Sequence, residues 1–192
     1  MLAAIFFCGA MTTVCTACGD DKDDNGGNEQ VETRNKAALA TVWYDAQFGS
    51  DVLEVFDVDV TVTGPAGGTI TKRLTKNVYS GAETEIRVTD AGLKYAMGIK
   101  VTPKADFTPD ASKTYIMGIR SELTFHIMNA QMETLVGGND HGVAFSENKI
   151  PGDKMTPERI QSLNDTYNNI YGGETLEVYK TYYVKDGVRK EY

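Results

Sequence analysis

Val52-Leu53-Glu54-Val55-Phe56-Asp57-Val58-Asp59-Val60-Thr61-Val62-Thr63 carries the clearest twofold alternation in the chain. Successive side chains of a β-strand point to opposite faces, so Phe56, Val58, Val60 and Val62 fall on one side and Asp57, Asp59, Thr61 and Thr63 on the other. The pattern predicts a strand buried on one face and wet on the other, as in an antiparallel sheet covered on one side. Gly64-Pro65-Ala66-Gly67-Gly68 follows immediately. Its glycines and proline supply the backbone angles of a tight connection and predict a hairpin onto a partner strand over Thr69 to Thr75.

The same texture extends in both directions. Upstream, Leu39-Ala40-Thr41-Val42-Trp43-Tyr44 reads as a strand ending near Asp45, and Trp43, the single tryptophan, is expected to anchor the core, with exposure in a binding site as the alternative. Downstream, Glu83 to Thr89 forms a strand, Asp90-Ala91-Gly92 turns the chain, and Leu93 to Pro103 runs back with Tyr95, Met97, Ile99 and Val101 on one face. Asp106 to Ser112 is a loop by composition. Tyr115 to Met132 supplies one or two further strands with Leu123, Phe125 and Ile127 on one side. Strands spaced by about ten residues with turn chemistry between them predict a mainly β, antiparallel sandwich. The stretch Val60-Thr61-Val62-Thr63-Gly64-Pro65-Ala66-Gly67-Gly68 resembles the hairpins of prealbumin-like and immunoglobulin-like sandwich modules on bacterial surfaces.

Gly137 to Lys154 is glycine-rich and polar, with Val143-Ala144-Phe145 as its one apolar cluster. It predicts a long loop, or a short strand between two loops. One C-terminal helix is signalled over about residues 156–171: Thr156 caps, Pro157 sits in the first turn, and Ile160, Leu163, Tyr167 and Ile170 share a face. Gly172-Gly173 end it. The chain then runs into Leu176 to Val184, read as one aromatic strand, and Asp186-Gly187 predicts a terminal hairpin into Val188 to Tyr192.

The first residues give an address. Met1 to Met11 is apolar, shorter than the ~20 residues a membrane-spanning helix needs, and is followed by Val14-Cys15-Thr16-Ala17-Cys18. Thr16 and Ala17 are small enough for a signal peptidase's subsites, and Cys18 presents a thiol for a diacylglycerol. The pattern resembles the bacterial lipobox, with Cys15 standing where a Leu-type residue is usual. No Lys or Arg precedes the apolar run, which points to a basic segment upstream of Met1. Gly19 to Gln30 holds no apolar side chain and carries five acids against one lysine, half of the chain's net charge of −8. Such a segment has nothing to bury and is expected to act as a flexible tether. An acidic run directly after a lipidated cysteine resembles the surface-export signal of lipoproteins of the Bacteroidota group. That resemblance implies an outer-membrane lipoprotein, exposed on the cell surface, with a periplasmic orientation as the alternative. The expected organisation is a signal peptide and lipobox over 1–18, a tether over 19–35 and one sandwich domain over 36–192.

All three cysteines, Cys8, Cys15 and Cys18, lie in the leader, so the folded part is expected to hold no disulfide, no thiol nucleophile and no thiolate metal site. The acidic balance and the lack of a basic run exclude nucleic acid as a partner. The chain's serines lack a nucleophile-elbow context and its two histidines, His126 and His141, leave a base hard to supply, so no enzyme activity and no cofactor are expected. A two-histidine metal site would need the Asn139-Asp140-His141 loop to fold onto the strand of His126, and no metal is assigned. Asp57 and Asp59 share a face and read as solvated carboxylates. The best lead is aromatic: with Leu176 to Val184 as one strand, Tyr179 and Tyr183 point one way and Tyr182 the other, offering phenols to a glycan or protein ligand. Packing of the same rings between helix and sheet is the alternative. The expected function is a lipid-anchored binding or adhesion protein. A structural or accessory subunit of a fimbria-like assembly, exchanging its terminal strand between copies, is the second possibility.

Overall fold

The structure, a computed structural model, describes residues 35–192 except 66, 139–147, 172 and 186. The leader with Cys18, the tether up to residue 34, the Asn139-Asp140-His141 loop and the Val143-Ala144-Phe145 cluster lie outside the described residues. From the N-terminus the elements are β1 (Leu39–Phe48), the one-turn helix α1 (Val52–Val55), β2 (Phe56–Thr63), β3 (Thr69–Arg73), β4 (Val78–Arg87), β5 (Leu93–Pro103), β6 (Thr114–Met117) and β7 (Ile119–Met128). They continue with β8 (Thr134–Gly138), β9 (Asn148–Pro151), a 3-10 turn (Gly152–Lys154), α2 (Pro157–Ile170), β10 (Glu174–Val178), β11 (Tyr182–Lys185) and β12 (Val188–Glu191).

Every described ladder is antiparallel. One sheet has the order β4-β1-β7-β8, the other β12-β11-β10-β5-β2-β3, and β6 with β9 forms a separate ribbon. The architecture is therefore the expected mainly β, antiparallel sandwich with one late helix. Alternation places Val58, Val60 and Val62 of β2 and Tyr95, Met97, Ile99 and Val101 of β5 in the interior. Ala40, Val42 and Ala46 of β1 with Leu123, Phe125 and Ile127 of β7 cover them from the four-stranded sheet. Aromatic pairs cross the gap: Tyr44 stacks on Tyr95 at 6.2 Å and Phe125 meets Tyr183 edge-on at 5.0 Å.

Helix α2 begins where its cap predicts, with the Arg159 N–H donating to the Thr156 hydroxyl. Its C-terminal turn completes the edge of β5. Strand β10 pairs with β5 only as far as Met97. Beyond that point the Ile99 N–H donates to the Tyr171 carbonyl at 2.8 Å, and Asn168 brackets Val101, accepting from its N–H at 2.9 Å and donating to its carbonyl at 3.0 Å. A side-chain amide thus stands in for a strand and satisfies backbone groups that would otherwise be left unpaired.

Two strands keep their place with other bounds, β1 running on to Phe48 past the expected end near Asp45 and β4 starting at Val78 ahead of the expected Glu83, and two segments differ in kind from the sequence reading. Val52 to Val55 is one turn of helix, and the strand starts at Phe56. Val52 and Val55 are both buried and lie three apart, a helical spacing that breaks the twofold pattern. Asp51 fastens this turn: its carboxylate accepts from the Ile116 N–H at 2.7 Å and from Ser50 at 3.2 Å, and pairs with the Lys113 ammonium at 2.7 Å. Burial pushes the Asp51 carboxyl up, and the hydrogen bonds from Lys113, Ile116 and Ser50 together outweigh it and hold the group below its ordinary value.

The second departure is the expected aromatic strand from Leu176 to Val184. It is a hairpin: Val178 pairs with Tyr183 and the Tyr179 N–H donates to the Tyr182 carbonyl at 2.8 Å, so Lys180 and Thr181 form a two-residue connection. Neither has a positive φ and neither is Gly or Asn, so the turn lacks the usual sequence signature. Tertiary ties hold it, from the Ala37 N–H to the Lys180 carbonyl at 2.9 Å and from the Lys180 ammonium to Asp90. The predicted Asp186-Gly187 hairpin is present as β11–β12, with Gly187 at a φ of 75°.

Candidate functional site

The outer face of the four-stranded sheet is assembled from strands β1, β7 and β4. On β1 the residues Ala40, Val42, Tyr44, Ala46 and Phe48 point inward, which sends Trp43, Asp45 and Gln47 outward, with Thr41 on the same side but buried. Trp43 is therefore no core anchor. It is 38% exposed, the alternative reading of that residue. The register lays β7 residues beside these positions in rows: Thr41 opposite His126, Trp43 opposite Thr124, Asp45 opposite Glu122 and Gln47 opposite Arg120. On the other flank, β4 sets Ala82 beside Trp43 and Ser80 beside Asp45.

These rows enclose a shallow pocket of about 470 Å³ between Trp43, Asp45, Ser80, Glu122, Thr124 and His126. The His126 imidazole and the Trp43 indole pack perpendicular to each other with ring centres 4.8 Å apart. Glu122 is held from both sides, by the Arg120 guanidinium at 2.9 Å and by the Thr124 hydroxyl at 3.1 Å. Among the described residues no side-chain hydrogen bond or ion pair goes to Asp45. Beneath, the Tyr44 ring lies over Gly81, where an added β-carbon would sit 2.2 Å from its hydroxyl, so glycine lets β4 close over β1. Tyr44 also stacks on Tyr79 at 5.7 Å, and burial, followed by the neighbouring Tyr79 and Glu83, raises its phenol above the ordinary value.

The tyrosines expected to form a ligand surface are brought together, and on one another. Tyr179 and Tyr182 flank the two-residue turn and stack at 4.7 Å, as directly opposite aromatic residues do across a ladder. The Arg189 guanidinium covers the Tyr182 ring at 3.8 Å. Tyr183 is buried against Phe125 and stacks on Tyr192 at 6.4 Å, while the Tyr192 hydroxyl donates to the Tyr179 carbonyl. Burial pushes the Tyr192 phenol up to about 12. Each ring in this cluster packs against another part of the same chain, and Tyr179, Tyr182 and Tyr192 stay half-buried.

Asp57 and Asp59 do share an outer face, as alternation requires, and Arg73 of the neighbouring strand bridges them at 2.9 and 2.6 Å. The hydrogen bond from Arg73 holds the Asp59 carboxyl below its usual range. Beside them, a larger groove of about 600 Å³ lies over Thr61, Thr63, Ala96, Gly98 and Thr175. None of its described lining residues is aromatic. Its threonines also hydrogen-bond across the strands, Thr61 to Thr71 at 3.0 Å and Thr63 to Thr69 at 3.1 Å. Size favours this groove, and chemistry favours the smaller pocket. A binding site needs an apolar platform with a few placed polar groups, and of these two the Trp43 face has both. Cys18 and His141 lie outside the described residues, and among the described residues no three His, Cys, Asp or Glu side chains converge.

Fold and face together define the chain as an antiparallel β-sandwich with an aromatic, hydrogen-bonding pocket on the outer side of its four-stranded sheet. No protein-family model, no curated protein and no solved structure matches it.

Proposed function

We propose that this protein is a lipid-anchored, cell-surface binding module whose sandwich captures a saccharide through the Trp43 face. The observation that carries the reading is an exposed tryptophan, propped by His126, on the floor of a pocket rimmed by hydroxyls and carboxylates. Sugars present an apolar C–H face to an aromatic ring and a ring of hydroxyls to polar side chains, which is the pairing of groups found here. The anchor rests on Cys18 within Val14-Cys15-Thr16-Ala17-Cys18, and the outward address on the acidic run after it. An amide-linked acyl chain added to a diacylglycerol supplies the several chains that durable attachment takes.

A fimbria-like subunit that donates its terminal strand would need β10 to leave a sheet in which β5 and β11 pair with both of its edges. Deleting Leu176 to Val184 is accordingly expected to unfold the protein. For the binding module, intact cells expressing the full chain are shaved with protease and tested for capture of immobilised polysaccharides. Loss of the protein on shaving, loss of fatty-acid labelling in Cys18→Ala, and loss of capture in Trp43→Ala are the expected results. Protection from protease would move the protein to the periplasmic side. Capture that survives Trp43→Ala would remove the site.

A further inference from the structure

We infer that the Trp43 pocket selects its ligand by charge, accepting a neutral or amino-bearing pyranose and refusing uronate, sialylated and sulfated chains. The inference rests on the reading of this face as a saccharide site and adds the ligand class to it.

Asp45 and Glu122 are directly opposed on β1 and β7, so their β-carbons are about 5 Å apart and both carboxylates rise from one face. Like charges in that relation are unfavourable on a sheet, and the sequence relieves only one of them. Arg120 and Thr124 both donate to Glu122. Asp45 faces the pocket with no such donor among the described residues, and Ser80 across the β4 flank brings a hydroxyl and no charge.

A carboxylate in this state is acceptor-only and is satisfied by donors brought by the ligand. Sugar hydroxyls are donors, and an ammonium group is a stronger one. Side chains on one face of a strand recur about every 7 Å, close to the span of one pyranose ring. A ring lying on Trp43 therefore reaches the Asp45–Glu122 row at one end and His126 at the other. An anionic sugar in the same pose sets its own charge against two carboxylates, and the Arg120 guanidinium is already committed to Glu122. Cations attracted to the indole face reinforce the preference for an amino sugar.

The test is titration of the full chain, at fixed ionic strength and neutral pH, with neutral gluco-, galacto-, manno- and xylo-oligosaccharides, a chitosan oligomer, an oligogalacturonate and a heparin oligosaccharide. The expected result is binding of a neutral or amino probe that weakens by about tenfold or more in Trp43→Ala and in Asp45→Asn, with both acidic probes weaker by at least about tenfold. Melting temperatures of the two variants, unchanged from the parent, confirm that both fold. An acidic probe that binds as tightly as the best neutral one and loses binding in Trp43→Ala overturns the charge selection and leaves the saccharide reading standing. If no probe shows Trp43-dependent binding, both fall.

Discussion

Two aromatic regions lie at opposite ends of the chain, and they have opposite fates. Trp43 stands on the outer face of a sheet and, among the described residues, has one ring, His126, beside it. Tyr179, Tyr182, Tyr183 and Tyr192 crowd the last two hairpins and occupy each other, through two stacked pairs, one guanidinium and one buried edge contact. The difference teaches that the number of rings in a segment says little about binding. What decides is whether a ring's face is consumed within the fold, and in a sheet that depends on parity and on where the strand turns.

The contrast is sharpened by variants that act on stability in one region and on binding in the other. The largest stability loss is expected at Tyr183. Replacing this buried ring by alanine opens a cavity against Phe125 and should cost about 3–4 kcal/mol in urea unfolding, while binding by the remaining folded fraction is retained. Asp51→Ala comes next, at about 2–3 kcal/mol, because the Ile116 N–H loses its acceptor and Lys113 one of its two carboxylates. This effect depends on pH. The folded-state carboxyl lies below the ordinary value of 3.8, so its stabilisation is complete above that value and is lost as pH falls through the folded-state value. Acid titration of the parent and of Asp51→Asn should therefore converge at low pH. The smallest effect is expected at Arg189→Ala, about 0.5–1 kcal/mol, since the guanidinium is a surface cation over Tyr182. Unaltered saccharide binding in that variant keeps the tyrosine cluster out of the site, and a loss would bring it back in.

Much of this fold is legible in the chain. Leu93–Pro103 is a strand between the predicted boundaries because its alternation is unbroken and Asp90-Ala91-Gly92 marks its start, with Gly92 at a φ of 74°. The late helix is legible because Thr156 and Pro157 are both placed where helix starts require them. Two features hid. The Lys180-Thr181 turn is imposed by contacts to Ala37 and Asp90, which are remote in sequence, and no local residue announces it. The first turn at Val52 hid because a helix of four residues differs from a strand by one buried position, Val55.

The Trp43 face was half written. Asp45 and Gln47 share the parity of Trp43 and mark it as wet, yet a strand expected to end near Asp45 leaves out Ala46, Gln47 and Phe48, the residues that make the alternation plain. The likewise outward parity of His126 was visible from Leu123, Phe125 and Ile127. That it lies against Trp43 depends on the β1–β7 register, which a single sequence does not specify.

The most direct measurement of the central claim is a paired one: calorimetric titration with the best-binding oligosaccharide and thermal unfolding, both on Trp43→Ala and on Tyr182→Ala. Trp43→Ala is expected to lose binding and keep its melting temperature, while Tyr182→Ala keeps binding and melts slightly lower. Binding lost in Tyr182→Ala and kept in Trp43→Ala would contradict that claim.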